Sequence, residues 1–329
     1  MSKNEISGLS RRHFLAAMAA AGLVQATSPL VAAKTFGYQE TALFMGTLVR
    51  IDVAGVSEAR AEDAVEHAFA KGRELEAVLT RFDSSSPLGV LNSQGSLEDV
   101  PPQLSLMLER SRLVHRLTEG SFEPSILPLL QAMQDASARG EQLHSDNAGE
   151  LLSRVDYTRV QTGNGVRLGE GMSLTLDGIA KGYIAQEMSR ELARMGCPNH
   201  LVNAGGDIVA SGRPDHARAW NIAIQSPFSR TRVRGSVQLN GGALATSGVY
   251  EQRLSGGKSH LVIPRTLERP DAVSATVWAP DGAMADALAT AFCVLPYAKV
   301  LQICSSLRDV EAMIVLWDGS LVCSQGWPA

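Results

Sequence analysis

Apolar residues recur along this chain with two different periods. Ala61, Val65, Ala68, Phe69, Leu75, Val78 and Leu79 fall at helical spacing after Ser57, which predicts a long amphipathic helix opening there. Leu104, Met107, Leu108, Ser111 and Val114 share one face of a second predicted helix, roughly Gln103 to Thr118, ended by Gly120. Residues 125–155 read as helical with a polar break near Gly140. Gly182 to Met195 reads as a helix closed by Gly196 and Pro198, and Val300 to Leu307 as a shorter one. β-Prone runs lie between the helices. Predicted strands are Leu43 to Val53, Val155–Val160, Val166–Leu168, Ser173–Leu176, Leu201–Val202, Ile208–Ala210, Trp220–Ile224, Gly235–Leu239, Ala272–Val277 and Ala312–Trp317. Asn164-Gly165 marks a tight hairpin turn, and Phe82 to Ser93 reads as a polar loop. Strands flank helices without a steady βαβ rhythm, and no long linker or repeat follows residue 33. The expected fold class is therefore α+β, a single mixed domain over 34–329.

The first 33 residues follow another pattern. Ser10-Arg11-Arg12-His13-Phe14-Leu15 precedes an Ala-rich apolar run from Leu15 to Val24, and Leu30-Val31-Ala32-Ala33 offers small residues where a signal peptidase cuts. This is the layout of a removable export signal, and the paired arginines indicate the twin-arginine export machinery. The run is short for a bilayer span. A periplasmic protein, cleaved near Ala33, is expected.

Composition narrows the function. A net charge of −4 with scattered basic residues argues against nucleic acid as a partner. The four cysteines form no C-x-x-C pair, and Cys293 and Cys304 lie in apolar stretches, so buried free thiols are expected rather than a zinc site.

Five pieces carry candidate chemistry. Asp286 and Thr290 stand four positions apart in a helical pattern, which puts a carboxylate and a hydroxyl on one face; two hard oxygens so placed suit Mg²⁺ or Ca²⁺. The apolar stripe Met284, Leu288, Ala291 and Leu295 lies roughly opposite, so the residues alone favour the blander reading that both polar residues face water. Asp177-Gly178-Ile179-Ala180-Lys181-Gly182 runs from a predicted strand into a helix, either a phosphate cradle or an ordinary strand–helix turn with a solvated lysine. Asn203-Ala204-Gly205-Gly206-Asp207 is a close-approach loop or a hairpin turn. Thr246-Ser247-Gly248 reads as a third small-residue turn, and His260 as a group that binds an anionic oxygen or moves a proton.

In order and spacing these pieces resemble the ApbE family of flavin transferases, over nearly the whole length after the signal. Met45-Gly46-Thr47 matches the family's opening. Phe82-Asp83, the Ser86 to Asn92 loop, Gly120-Ser121-Phe122-Glu123-Pro124-Ser125 and Gly178-Ile179-Ala180-Lys181-Gly182-Tyr183 follow. The Gly205-Gly206-Asp207 loop, Thr246-Ser247-Gly248, His260 and Ala285-Asp286-Ala287-Leu288-Ala289-Thr290 complete the series. The resemblance implies Mg²⁺-dependent transfer of FMN from FAD to a Thr or Ser hydroxyl of a target flavoprotein, with release of AMP. By the same resemblance the side chains of Asp286 and Thr290 and the carbonyl of Gly178 hold the metal. Met45, Asn92, Lys181, Asp207, Thr246, Ser247 and Gly248 line the FAD site, with His260 near its pyrophosphate. Asp286, Lys181 and His260 carry the chemistry. The implied targets are subunits of membrane redox complexes. Two rival activities are an FAD-delivery protein without transfer and an FAD pyrophosphatase. The chain departs from the family pattern at Glu123, Gln186, Val249, Ile263 and Leu267.

Overall fold

In a computed structural model, residues 37–141, 145–215, 217–249, 263 and 269–328 are described. The export-signal reading and the His260 assignment lie outside the described residues. Elements are numbered in chain order. Eight strands build one sheet: β1 (Gly37–Phe44), β2 (Thr47–Ala54), β6 (Asn199–Ala204), β7 (Asp207–Ser211), β10 (Gly241–Gly248), β11 (Ala272–Ala279), β12 (Glu311–Leu316) and β13 (Leu321–Cys323), in that spatial order. All its neighbours run antiparallel. With helices segregated to one face, the fold is α+β, as the sequence pattern predicts.

Strand alternation makes two cores from one sheet. Val209, Ala243, Ala245, Ala312 and Ile314 join the larger core, beneath α1 (Glu58–Leu79), α6 (Ala180–Arg194) and α7 (Gly282–Phe292). Their sequence neighbours Ile208, Ala210, Leu244 and Met313 belong to a second cluster with Trp220, Ile222, Ile224, Val237 and Leu239 of the hairpin β8 (Trp220–Ser226)–β9 (Ser229–Leu239). The layers are thus helices, sheet and hairpin. The peripheral helices are α2 (Pro87–Gln94), α3 (Pro102–Leu117), α4 (Leu127–Ala138), α5 (Ser145–Leu152) and α8 (Tyr297–Ser306). A small sheet of β3 (Ser96–Leu97), β5 (Gly165–Arg167) and β4 (Gln161–Gly163) carries the predicted tight turn at Asn164.

Several predicted elements are corrected by local chemistry. Leu43 to Val53 is not one strand but the turn and second arm of a hairpin: Met45 and Gly46 both have positive φ (53° and 67°), the geometry of a two-residue hairpin turn. The Phe82–Ser93 loop contains α2, because the Ser86 hydroxyl accepts the Gly89 N–H (2.9 Å) with Pro87 in the first turn. Val155–Val160 is a single 3₁₀ turn over Tyr157–Arg159, opened by the Asp156 carboxylate accepting the Thr158 N–H (3.0 Å). Thr246–Gly248 is no turn; it is the end of β10, paired with β11 through Thr246–Thr276 and Gly248–Ser274. The helix expected from Gly182 begins at Ala180, so Gly182 lies in its first turn. Ser173–Leu176 joins no strand ladder. Asn92 substitutes for a neighbouring strand there: its Nδ2 donates to the Leu174 carbonyl (2.8 Å), and its Oδ1 accepts the Leu174 N–H (2.7 Å).

Candidate active site

The sheet register gathers the predicted pieces at one end. Val49 pairs with Ala204, Ala204 with Asp207, and Leu244 with Ile208. The Met45-Gly46 turn, the Gly205-Gly206 turn and the Thr246–Gly248 segment therefore share that end. Gly205 and Gly206 have φ of 67° and 110°, so the Gly-Gly pair is a hairpin turn that an L side chain would strain. It is also a close approach: a Cβ on Gly205 would lie 2.4 Å from Thr47 Oγ1. The Met45 N–H donates to Glu76 Oε1 of α1 (2.7 Å), tying the first turn to the helical layer.

The first turns of α6 and α7 cross on the helical face of the sheet, and glycine permits the crossing. A Cβ on Gly182 would sit 2.0 Å from the Gly282 carbonyl oxygen and 2.7 Å from Asp286 Cβ. The reciprocal Cβ on Gly282 would sit 2.3 Å from the Gly182 carbonyl oxygen. Because the backbones touch, the Gly182 N–H reaches Asp286 Oδ2 at 2.9 Å. On the phosphate-cradle reading that N–H would be free for an anion; it is instead occupied by the carboxylate. Asp281 caps α7 by accepting the Met284 N–H (3.0 Å), and Gln186 Oε1 accepts the Gly282 N–H (3.2 Å).

Asp286 does not face water; it is 1% exposed. The water-facing alternative is overturned because α7 is buried on almost every side. Lys181 forms an ion pair with the buried Asp207 and lies 3.9 Å from Asp286 Oδ1. Burial pushes the Asp286 carboxyl up to about 7, the Asp207 charge adds to the rise, and Lys181 and the Gly182 N–H oppose it. Thr290, one turn on, lies within 3.3 Å of Ser247 Oγ, and a Cβ on Gly178 would come within 2.8 Å of Thr290 Oγ1. Asp177 is held by Arg81 (2.8 Å), whose guanidinium stacks on Phe82 at 4.0 Å. Thr246 Oγ1 pairs with Thr276 Oγ1 at 3.0 Å.

Of the predicted residues, Gly178, Lys181, Asp207, Ser247, Asp286 and Thr290 form one connected cluster. Met45, Thr246 and Gly248 stand at the same end of the sheet. Asn92 lies apart from that cluster and acts on it through Leu174. Two open grooves of about 460 and 330 Å³ flank Asn92, and neither is lined by Lys181, Asp286 or Thr290.

The donor set fits a hard divalent cation. Asp286 is a buried carboxylate with one oxygen held by Gly182, Thr290 adds a hydroxyl, and the glycine at 178 leaves open the space beside that hydroxyl. No group of three or more His, Cys, Asp or Glu suited to a metal occurs among the described residues, so a soft-metal site is not built there.

The sequence profile of the ApbE family matches residues 45–314. The chain belongs to the ApbE family. An FAD:protein FMN transferase of Treponema pallidum is 29% identical over 315 residues, covering 88% of this chain and 87% of that protein. One from Rhodobacter capsulatus is 32% identical over 330 residues, covering 92% and 60% respectively. The crystal structure of an ApbE protein from Thermotoga maritima superposes with a TM-score of 0.80 at 24% identity, covering 88% of this chain and 97% of that one.

Three departures from the ApbE pattern are accommodated locally. Gln186 serves the start of α7, as above. Glu123 is buried in a hub: its Oε1 accepts from Ser125 N (3.0 Å) and Ser125 Oγ (2.6 Å), and its Oε2 lies 3.4 Å from both Tyr157 N and His115 Nδ1. This hub fixes the turn whose Pro124 carbonyl accepts the Thr175 N–H (2.8 Å), three residues before Gly178. Val249 is buried, with its N–H donating to the Val273 carbonyl (3.0 Å). Sequence reasoning missed Gly282 and Arg81. Gly282 carried a signal, a second glycine at a helix start; Arg81 carried none.

Proposed function

We propose that this ApbE-family transferase moves FMN from FAD onto a threonine or serine hydroxyl of a target flavoprotein, releasing AMP, with Mg²⁺ bound by Asp286, Thr290 and the Gly178 carbonyl. The observation that carries this reading is the buried Asp286 carboxylate, braced by the Gly182 N–H and aligned one helical turn from Thr290. A buried carboxyl with a raised pKa gains most from a cation that replaces its proton. The relatives' common name supports the substrate assignment.

The chemistry follows from charge. Breaking FAD's diphosphate bridge gathers negative charge on the phosphoryl oxygens, and catalysis of such a step rests on positioning and electrostatics. A bound divalent cation supplies polarisation and charge neutralisation at the diphosphate. Lys181, with Asp207 fixing its ammonium, presents positive charge at the same end of the sheet. The Gly182–Gly282 contact holds Asp286 rigidly, so little reorganisation is needed during the reaction. The acceptor hydroxyl oxygen forms a bond to the FMN phosphorus as the bond to AMP breaks. His260 is proposed, from sequence alone, to bind an anionic oxygen or move the hydroxyl proton. We further propose export by the twin-arginine route and action in the periplasm on subunits of membrane redox complexes. No helix among the described residues is long and apolar enough to cross a membrane.

The test is incubation with FAD, Mg²⁺ and a threonine-bearing flavoprotein domain, followed by intact mass. Covalent FMN on the domain supports the proposal. Release of FMN and AMP without labelling identifies a pyrophosphatase, and FAD binding without either identifies a delivery protein.

A further inference from the structure

The turn at 177–179, which presents the Gly178 carbonyl, is bridged to the end of α1 by a single cation. Arg81 follows that helix by two positions, and its Nε and Nη2 both donate to Asp177 Oδ2, at 2.9 and 2.8 Å. The guanidinium is also covered on its face by the Phe82 ring, 4.0 Å away. Two donors converging on one oxygen with an aromatic ring behind them suit a planar guanidinium. The backbone before Arg81 is braced in turn, because the Ser86 hydroxyl donates to the Thr80 carbonyl (2.5 Å). Arg81 is 12% exposed, whereas the carboxylate it holds is 51% exposed.

An ion pair with one half-exposed partner adds little to stability, because water screens it. Its place in the chain is more telling. Asp177 immediately precedes Gly178. Burial is the main cause of the raised Asp286 carboxyl, but the Asp177 charge adds to the rise alongside that of Asp207. The Asp177 carboxylate is therefore a further acidic group within electrostatic range of the candidate cation site, turned towards Arg81 instead. The Gly178 carbonyl meets no hydrogen-bond donor among the described residues. Its ordinary helical donor, the N–H four positions on, belongs to Gly182 and goes to Asp286. Two adjacent residues thus offer the cation different oxygens, a carbonyl that is free and a carboxylate that is restrained. They build different sites. One carboxylate with a hydroxyl and a carbonyl suits Mg²⁺, which keeps waters and phosphate oxygens around few protein ligands. A second, mobile carboxylate adds charge and oxygen ligands, which favours Ca²⁺.

We propose that Arg81 is a positioning residue that sets the metal selectivity of this site: by holding the Asp177 carboxylate aside, it leaves the place beside the cation to the Gly178 carbonyl and favours Mg²⁺ over Ca²⁺. The inference rests on the metal assignment proposed above. It gives Arg81 no contact with metal or substrate; the effect passes through Asp177.

The test uses the full chain with Mn²⁺ as the probe, its binding followed by electron paramagnetic resonance and competed with MgCl₂ or CaCl₂. Three variants separate the parts. Arg81→Met frees the carboxylate, Asp177→Asn breaks the bridge but removes the charge, and the third carries both changes. Arg81→Met is expected to lower the ratio of Mg²⁺ to Ca²⁺ affinity about tenfold. Asp177→Asn and the double variant are expected to stay within about twofold of the unaltered ratio. Melting midpoints in chelator should stay within about 4 °C for all three, which reports that each is folded. An unchanged ratio in Arg81→Met overturns the proposal. So does an equal fall in Asp177→Asn or in the double variant, which would make the bridge a brace for the turn rather than a restraint on a competing ligand. Arg81→Gln removes the same charge and repeats the measurement, under the same criteria, should Arg81→Met not fold. Failure of the metal assignment looks different: Mn²⁺ then binds Asp286→Asn as tightly as the unaltered protein, and the Arg81 proposal falls with it.

Discussion

Replacing Asp286 by asparagine separates what the carboxylate does for the fold from what it does for the site. Asparagine keeps the volume and can still accept the Gly182 N–H that Asp286 Oδ2 accepts at 2.9 Å. Only the charge goes. The Asp286 carboxyl sits near 7 in the folded chain against 3.8 ordinarily. A folded-state pKa above the unfolded value means that the folded chain holds the proton more tightly. Its contribution to stability is complete below about pH 4, shrinks as pH rises, and is lost above about 7. At pH 8 without metal, keeping this carboxylate ionised costs the fold at most about 4 kcal/mol, from about 1.4 kcal/mol per pH unit. Asp286→Asn is therefore expected to be more stable than the unaltered protein at pH 8, by about 1–3 kcal/mol after allowing for local relaxation. At pH 4 the advantage vanishes. Thermal melts in chelator at the two pH values measure this, at about 2 °C per kcal/mol for a chain of this size. In the same melts Mg²⁺ raises the midpoint of the unaltered protein and leaves that of Asp286→Asn where it was. A variant less stable at pH 8 by more than 1 kcal/mol, or one still stabilised by Mg²⁺, refutes the reasoning.

Three further outcomes follow from the same contacts. Gly182→Ala forces a methyl to within 2.0 Å of the Gly282 carbonyl oxygen, so urea unfolding should show a loss of about 2–3 kcal/mol with the FMN transfer rate falling alongside. Asn92→Ala removes both hydrogen bonds to Leu174; about 2 kcal/mol of stability should go, and amide exchange should quicken along 174–178. Lys181→Met removes the cation that lowers the Asp286 pKa, so the pH midpoint for Mg²⁺ binding, followed by isothermal titration across pH 6–9, should move upward while transfer falls about 10²-fold.

How much of this was legible in the sequence depends on the range of the forces involved. Helical periodicity located α1, α3, α6, α7 and α8 because a buried face leaves a repeating signature over ten or more residues. Short-range chemistry was read less well. Ser86-Pro87 is a helix start that the surrounding serines disguised as a loop, and Asp156 bends a β-prone run into a 3₁₀ turn through one carboxylate. Ser173–Leu176 has strand composition, yet its partner is an asparagine side chain 82 positions away. No local pattern announces such a partner. At the site, the spacing of Asp286 and Thr290 and the glycine-bracketed Lys181 segment were visible, and their convergence was implied by family resemblance. Their burial was not. The apolar stripe on α7 suggested a wet opposite face, and only the Gly182–Gly282 contact explains why that face is dry. Glycines that permit two backbones to touch look, in a sequence, like glycines that make a turn.

The central claim is that Asp286, Thr290 and the Gly178 carbonyl hold one divalent cation beside the FAD diphosphate. Crystals grown with FAD and Mn²⁺ in place of Mg²⁺, measured at the manganese absorption edge, test it most directly. The account predicts a single anomalous peak about 2.1 Å from an Asp286 oxygen, with the Thr290 hydroxyl and the Gly178 carbonyl in the same coordination shell and a phosphoryl oxygen completing it. A peak ligated by other residues, or bound FAD with Asp286 still paired only to Gly182 and no metal beside it, contradicts it.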